Sequence, residues 1–181
     1  MKKLIMFAAC AMLAAYTQAA QVGWSMAGAA NFAGDSYAFF VIGQNGADSI
    51  ATITALLEAG DSSYASKAFG SGTVAANGTA NVAATSSGLY LDAGTYETFF
   101  VVFDSATPTA GSSKYAVVSG AANLTKEFAS TAASVTFAAA NQSSYLNNTA
   151  NWATYGAVPE PTSGLLMLVG LGALALRRRR A

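Results

Sequence analysis

The carboxylates are the side chains most capable of chemistry in the middle of this 181-residue chain. Of nine acidic residues, eight precede the C-terminal tail: Asp35, Asp48, Glu58, Asp61, Asp92, Glu97, Asp104 and Glu127. A glycosidase needs two carboxylates in one pocket, and Glu58, Glu97 and Glu127 are candidates in principle. Scattered acids are also what a soluble surface requires, however, and none of the eight shows the Asp-x-Asp spacing of a calcium loop. We therefore predict a surface role for them and no metal site.

Other catalytic residue types are nearly absent. The chain has no histidine, which is the commonest general base and transition-metal ligand. Its single cysteine, Cys10, lies in an apolar N-terminal segment, so a mature chain without that segment has neither a thiol nor a disulfide. Because Ser-His and Cys-His catalysis then lacks its base, we expect no enzyme activity and no cofactor.

The formal net charge of zero conceals three regions of different charge. The cations at the two ends are Lys2, Lys3, Arg177, Arg178, Arg179 and Arg180. Only three remain between them: Lys67, Lys114 and Lys126. The middle of the chain is therefore acidic and repels phosphate backbones, so we expect no nucleic-acid partner.

Residues 1–19 have the three-part order of a secretory signal peptide. Two lysines precede an apolar helical stretch over 4–15, and a polar approach leads to Ala19. Cleavage after Ala19 places small Thr17 and Ala19 at the positions that signal peptidase reads, so we predict Ala20 as the mature start. A buried amphipathic helix is the poorer interpretation because the Ala, Leu and Met run has no polar face.

Residues 157–181 combine three elements in a fixed order: Pro159-Glu160-Pro161, an apolar stretch over 163–176, and arginines at 177–180. The prolines stop a helix from extending backward and keep the strip before it extended. The apolar stretch makes a helix of about 20 Å, short of a hydrocarbon core of ~30 Å. Arginines are costly to translocate and act as a cytoplasmic stop. The pattern predicts a marginal transmembrane helix with the preceding chain outside.

This order of elements resembles the PEP-CTERM sorting signal of Gram-negative bacteria, and the resemblance is limited to the tail. It implies that an exosortase, an integral-membrane cysteine transpeptidase-like enzyme, recognises Pro159, Glu160 and Pro161 and cuts near them. It further implies transient membrane anchoring, followed by delivery to the cell surface or an exopolysaccharide matrix. An ordinary C-terminal anchor is the alternative, which explains the apolar stretch and the arginines but not the Pro-Glu-Pro strip.

Residues 20–156 are predicted to form one all-β extracellular domain, a β-sandwich or jelly-roll-like fold. The strongest strands, at 37–42 and 99–103, are apolar on both faces and are placed at the centre of the core. Further strands are predicted at 22–27, 65–74, 79–84, 89–91, 115–118 and 134–138. Asn45-Gly46 and Asn77-Gly78 are hairpin-type turn dipeptides.

One short helix is predicted over 49–59, with Asp48 as its cap and Gly60 at its end. Its apolar face consists of Ile50, Ile53 and Leu57. The Thr and Ile content of this segment leaves a strand open as the alternative. Residues 141–155 are polar and asparagine-rich, which predicts the end of the domain and a short tether, with Trp152 the last residue to pack.

Two functions fit these features. The first is a structural or adhesive protein of the cell surface or extracellular matrix. The alternative is a secreted carbohydrate-binding module, with polysaccharide as partner, in which Tyr64, Tyr90, Tyr96 or Tyr145 stacks on sugar rings. Because tyrosine at a sheet edge usually serves packing, coplanar exposed rings on one sheet face would be needed to favour the alternative.

Overall fold

The structure is a computed structural model that describes residues 19–121, 123–129 and 132–157. The predicted signal peptide helix, sorting motif 159–161, transmembrane helix 163–176 and arginine cluster 177–180 lie outside the described residues. Within them, strands in two main sheets dominate and helices are few. The all-β prediction is confirmed. None of the helices in these ranges has the length and hydrophobicity needed to cross a bilayer.

The described strands follow one another along the chain with short connections. They are β1 (Ala20–Met26), β2 (Ser36–Val41), β3 (Gly70–Thr73), β4 (Ala80–Val82), β5 (Tyr90–Leu91), β6 (Gly94–Phe103), β7 (Lys114–Val118), β8 (Thr125–Phe128), β9 (Ser134–Ala139) and β10 (Trp152–Thr154). The helices are α1 (Ile50–Glu58), α2 (Tyr64–Lys67), α3 (Ala84–Ser87) and α4 (Ser143–Leu146), with 3₁₀ turns at Ala30–Phe32 and Thr149–Asn151.

The smaller sheet is organised around β1. This strand pairs antiparallel with β4 and β5 and parallel with β9. The larger sheet has the order β10-β7-β6-β2-β3, all antiparallel, and β8 pairs with the first half of the long β6. The two sheets share one apolar cluster, which we name the interlayer core.

The side chains of β2 and β6 serve two cores in alternation. Phe39 and Phe100 lie in the interlayer core, whereas Phe40 and Phe99 lie in a second cluster on the outer face of the larger sheet. All four are fully buried. Successive side chains of a strand point to opposite faces, so a strand covered on both faces needs apolar residues throughout. The predicted central position of these runs is confirmed.

Helix α1 contributes to the second cluster. Its buried residues Ile53 and Leu57 belong to the same cluster as Phe40 and Phe99. Four residues apart, they lie on one side of the helix. The helix interpretation of this segment is therefore confirmed, and the strand alternative is wrong.

The N-cap of α1 differs from the prediction by one residue. Ser49 is the cap: its backbone is extended, and its Oγ accepts the Thr52 N–H at 3.1 Å. Asp48 precedes this position, so the prediction of Asp48 as the cap is wrong. A serine oxygen at the cap satisfies an N–H of the first turn that has no partner within the helix.

The strand predicted at 65–74 is wrong in its first half, where α2 occurs instead of a strand. The Tyr64 ring lies 5.4 Å from Phe103 and 5.7 Å from Tyr155, measured between ring centroids. Burial of this ring in the second cluster holds the chain in a helical turn before β3 begins. Local strand propensity carries no information about such a tertiary contact.

Residues 141–155 pack on the larger sheet and do not form a tether. Leu146 and Tyr155 are only 1% and 4% exposed, and β10 pairs with β7. Trp152 packs as predicted, but the packed chain continues beyond it. The predicted strands omit β8 and β10, which have only four and three residues and form by pairing with their neighbours β6 and β7.

Neither hairpin-type dipeptide joins two paired strands. Asn45 and Gly46 both have positive φ, as such turns require, but they lie between β2 and α1. Asn77 and Gly78 lie between β3 of the larger sheet and β4 of the smaller sheet. Gly78 also has positive φ, but Asn77 does not, so the predicted turn backbone occurs only at Asn45-Gly46 and neither dipeptide closes a hairpin.

Candidate functional site: an interlayer cleft and the C-terminal tail

The inner face of the larger sheet changes from apolar to charged at one end. Phe100 and Val102 of β6 are buried in the interlayer core. Asp104 comes two residues after Val102, which places it on the same face of the sheet. The neighbouring β7 runs antiparallel to β6. Lys114, two residues before the buried Ala116, therefore lies at the same end of the sheet as Asp104. Charged residues therefore occupy positions where the alternation would place core residues.

A cleft of about 230 Å³ opens at this end, and we name it the interlayer cleft. Its apolar lining comes from Phe32, Leu146 and Trp152. The rings of Phe32 and Trp152 are stacked, with centroids 4.6 Å apart and planes 26° apart. Trp152 Nε1 donates a hydrogen bond to the Leu146 carbonyl at 2.6 Å. Stacking and hydrogen bonding together fix the indole ring, which stays half-buried.

The polar lining of the interlayer cleft consists of Asn31, Asp104, Lys114, Asn147 and Thr149. Asn31 Nδ2 donates to Asn147 Oδ1 at 2.8 Å. The Lys114 backbone N–H donates to Asp104 Oδ1 at 2.7 Å. These bonds orient an amide pair and a carboxylate, and all five side chains belong to residues that remain exposed.

The electrostatics near the cleft are weakly negative. Burial raises the pKa of Asp35, and the negative charge of Asp104 raises it further. Asp35 directly precedes β2, and the Ser36 N–H donates to the Ser105 carbonyl at 3.0 Å, which holds this chain segment beside Asp104. A nearby negative charge disfavours ionisation of the Asp35 carboxyl group, and Lys114 is the cation of the cleft lining.

The structure does not bring the four candidate tyrosines together. Tyr64 is buried in the second cluster, which rules out the predicted stacking on a sugar. Tyr96 is half-buried and stacks on Phe128 at 5.7 Å. Tyr90 and Tyr145 are 53% and 37% exposed, and neither stacks with another ring among the described residues. The Tyr90 hydroxyl accepts a hydrogen bond from Gln21 of β1, and the Tyr145 hydroxyl donates one to the Val117 carbonyl of β7, so each ring is tied to a neighbouring element.

The cleft residues were not predicted as site residues from the sequence. They come from four separate segments, near positions 31, 104, 114 and 146–152. The one available signal is Trp152, a large aromatic residue in an otherwise polar, asparagine-rich segment. The sequence pattern at Trp152 predicts packing and does not distinguish a packed ring from one that also lines a cleft.

Hydrogen bonds hold the folded chain in place up to Gly156. Its N–H donates to the Leu57 carbonyl at 2.7 Å, and the Gly111 N–H donates to the Tyr155 carbonyl, also at 2.7 Å. Gly156 has φ +64°, and a Cβ there would lie 2.7 Å from Ala110 Cβ. Only two residues, 157 and 158, separate this junction from Pro159.

The predicted mature start also lies at the edge of the packed chain. Ala20 is fully buried at the beginning of β1 and pairs with Leu91, whereas Ala19 precedes the strand. The cleavage position between Ala19 and Ala20 stays a prediction. If cleavage occurs there, the mature chain begins directly with its first strand.

Comparison with known proteins identifies the tail. The family model of the PEP-CTERM protein-sorting motif matches residues 157–180, a range that begins directly after Gly156 and includes Pro159, Glu160, Pro161 and the arginine cluster. No curated protein and no solved structure matches the chain. The resemblance seen in the sequence is thereby confirmed: this chain carries a PEP-CTERM protein-sorting motif in its C-terminal tail, the mark of an exported, membrane-associated protein that an exosortase processes and sorts.

Proposed function

We propose that this protein is a structural or adhesive component of the cell surface or extracellular matrix, which an exosortase delivers through its C-terminal tail. The observation that carries the proposal is the sorting motif matched at residues 157–180. The motif follows the last fixed residue of the folded chain, Gly156, without a long linker. Processing near Pro159 then leaves almost the whole remaining chain as folded domain.

The features of the folded chain support a non-catalytic role. The described residues include no group of three Cys, Asp or Glu side chains that could hold a metal ion, and the sequence has no histidine. We interpret the two sheets around the interlayer core as a β-sandwich, an architecture common in cell-surface proteins. Such a fold supplies a rigid scaffold with loops and edges for contacts with other surface components.

The proposed route to the surface has three steps. Signal peptidase first cuts after Ala19 and frees Ala20 to enter β1. The apolar helix at 163–176 then holds the chain in the membrane, with arginines 177–180 kept on the cytoplasmic side because their translocation is costly. An exosortase finally recognises Pro159, Glu160 and Pro161 and releases the domain to the surface.

Deletion of residues 159–181 tests the sorting step. We expect the truncated protein in the periplasm or the medium, whereas the full chain is retained at the cell surface. Glu127→Gln is the matched control, because it changes one exposed charge in the domain and leaves the tail intact. Surface retention of the truncated protein at the level of the full chain would contradict the proposal.

The mass of the surface-bound protein distinguishes sorting from ordinary anchoring. Exosortase processing predicts a chain that ends near Pro159 and lacks the apolar stretch and the arginines. An ordinary C-terminal anchor predicts that the surface protein still ends with the arginine cluster. Intact-mass measurement on protein isolated from the surface therefore decides between the two, with Ala20 as the expected first residue in both cases.

A further inference from the structure

We propose that the interlayer cleft binds a neutral saccharide unit. This inference deepens the proposed surface function, on which its biological role rests, by naming a ligand class and a site. The binding itself depends only on the folded domain. It therefore differs from the tyrosine-based interpretation of the sequence, whose residues the structure separates.

The apolar part of the cleft provides a fixed platform for a sugar ring. Trp152 and Phe32 are partly exposed, yet each is held by stacking on the other at 4.6 Å. Leu146, only 1% exposed, adds a third apolar side chain to the cleft lining. An aromatic ring that is already immobile loses little side-chain entropy when a ligand binds. The C–H face of a sugar offers the matching apolar surface.

The polar part of the cleft has both donors and acceptors. Asn31 and Asn147 each carry an amide, Thr149 a hydroxyl, Lys114 three N–H donors and Asp104 a carboxylate that only accepts. A phosphate or carboxylate ligand would be repelled by Asp104 and would need donors alone. The adjacent hydroxyl groups of a sugar both donate and accept hydrogen bonds, so they can pair with the donors and with the acceptors of the cleft.

Charge and size narrow the ligand class further. Asp104 and Lys114 cancel within the cleft lining, and Asp35 lies nearby. Because the whole middle of the chain has eight acids against three lysines, its field disfavours an anionic polymer. A volume of about 230 Å³ is below the ~300 Å³ at which ordinary small-molecule sites begin. The cleft therefore suits a short unit within a neutral polysaccharide.

The position of the cleft is a further reason for this assignment. It lies where the inner face of the larger sheet extends past the interlayer core, and its aromatic rings come from the turn before β2 and from the edge strand β10. An open cleft at the end of a two-sheet stack admits a polymer segment that continues into solvent on both sides. A closed internal cavity would admit only a free monosaccharide.

Tryptophan fluorescence tests the proposal directly. The chain has two tryptophans: Trp24 is 3% exposed in the interlayer core, so an added sugar reaches only Trp152. The full chain, kept in a detergent without a sugar head group, is titrated with neutral gluco-, galacto- and manno-oligosaccharides. We expect a saturable emission change with at least one of them, together with protection of Trp152 from acrylamide quenching. Both signals should disappear in Trp152→Phe.

The Asp104→Asn variant separates recognition from folding. Its side-chain oxygen still accepts the Lys114 N–H, but it loses the charge that strengthens a bond to a sugar hydroxyl. We expect about tenfold weaker binding with unchanged circular dichroism. Asp92→Asn is the matched control, because it removes an equal charge at an exposed position outside the cleft lining, and it should bind as the wild type does.

Three results would overturn the proposal. The first is the lack of a saturable response to every neutral oligosaccharide. The second is equal weakening by Asp104→Asn and Asp92→Asn, and the third is tighter binding of uronic or sulfated oligosaccharides than of neutral ones. Failure of surface retention in the tail deletion concerns the sorting step alone, so the two proposals fail separately.

Discussion

The indole ring of Trp24 lies almost parallel to the phenyl ring of Phe39, with centroids 5.0 Å apart and planes 13° apart. Trp24 belongs to β1 of the smaller sheet and Phe39 to β2 of the larger one, so this pair joins the two sheets through the interlayer core. Trp24 Nε1 also donates to the Tyr37 hydroxyl of β2 at 3.1 Å. A stacked pair and a buried hydrogen bond thus fix how the sheets face each other.

The first prediction concerns Gly70, which lies beneath Trp24. A Cβ at Gly70 would lie 2.5 Å from Trp24 Cζ2 and 3.0 Å from Cζ3, well inside van der Waals contact. We expect Gly70→Ala to lower the free energy of unfolding by about 1–3 kcal/mol, the usual cost of overpacking. Urea denaturation followed by tryptophan fluorescence measures the change.

Gly94→Ala is the matched control for this substitution. Gly94 is also a strand glycine, but its nearest neighbour to an added Cβ is Tyr96 at 3.4 Å, an ordinary contact. We expect stability within about 0.5 kcal/mol of the wild type or slightly higher, because alanine restricts the unfolded chain more than glycine does. Equal destabilisation by the two variants would show that the Trp24 contact is not the cause.

The second prediction concerns the Trp24–Tyr37 hydrogen bond. Tyr37→Phe keeps the ring but leaves the Trp24 N–H without its acceptor at a buried position. An unpaired buried donor costs about 1–3 kcal/mol, and we expect a loss of that size in chemical denaturation. Tyr90→Phe removes a hydroxyl that is bonded to Gln21 on the exposed surface, and it should cost less than about 0.5 kcal/mol. Similar losses in both variants would refute the assigned role of the buried bond.

The third prediction concerns stability at alkaline pH. Burial raises the pKa of Tyr64 from 10.0 to about 12, and the nearby Tyr155 adds to the shift. Because the folded state favours the neutral phenol, the stability from its burial is complete below pH 10 and is lost as the pH rises towards 12. We expect the free energy of unfolding to fall over this window, and to fall less steeply in Tyr64→Phe. Parallel curves for the two proteins would contradict this origin of the effect.

Local patterns were sufficient for the central elements of the fold. The runs in β2 and β6 are apolar at every position because both faces of these strands are covered, and their short length and aromatic content favour a buried strand over a buried helix. The segment of α1 combines apolar residues at helical spacing with a serine cap and a terminal glycine. The predicted cap differs by one residue because Asp48 and Ser49 are both good capping residues, and only the backbone geometry selects Ser49.

Elements that depend on their neighbours were not predictable. The segments of β8 and β10 have weak strand patterns and pair because β6 and β7 present free edges to them. Tyr64 turns the chain into α2 because Phe103 and Tyr155 surround its ring. In each case the free energy that stabilises the element comes from contacts with residues far away in sequence. A prediction from a short stretch of sequence cannot include such contacts.

The sorting tail can be recognised from the amino-acid sequence alone, because its signal is linear: Pro159-Glu160-Pro161, an apolar stretch and an arginine cluster act in the order in which they are written. The interlayer cleft, in contrast, is created by folding, which brings Asn31 and Asn147 into hydrogen-bond contact although 116 positions separate them. Such a site exists only after the sheets have paired and stacked, because the free energy that holds its residues together is that of the whole fold and not of any segment.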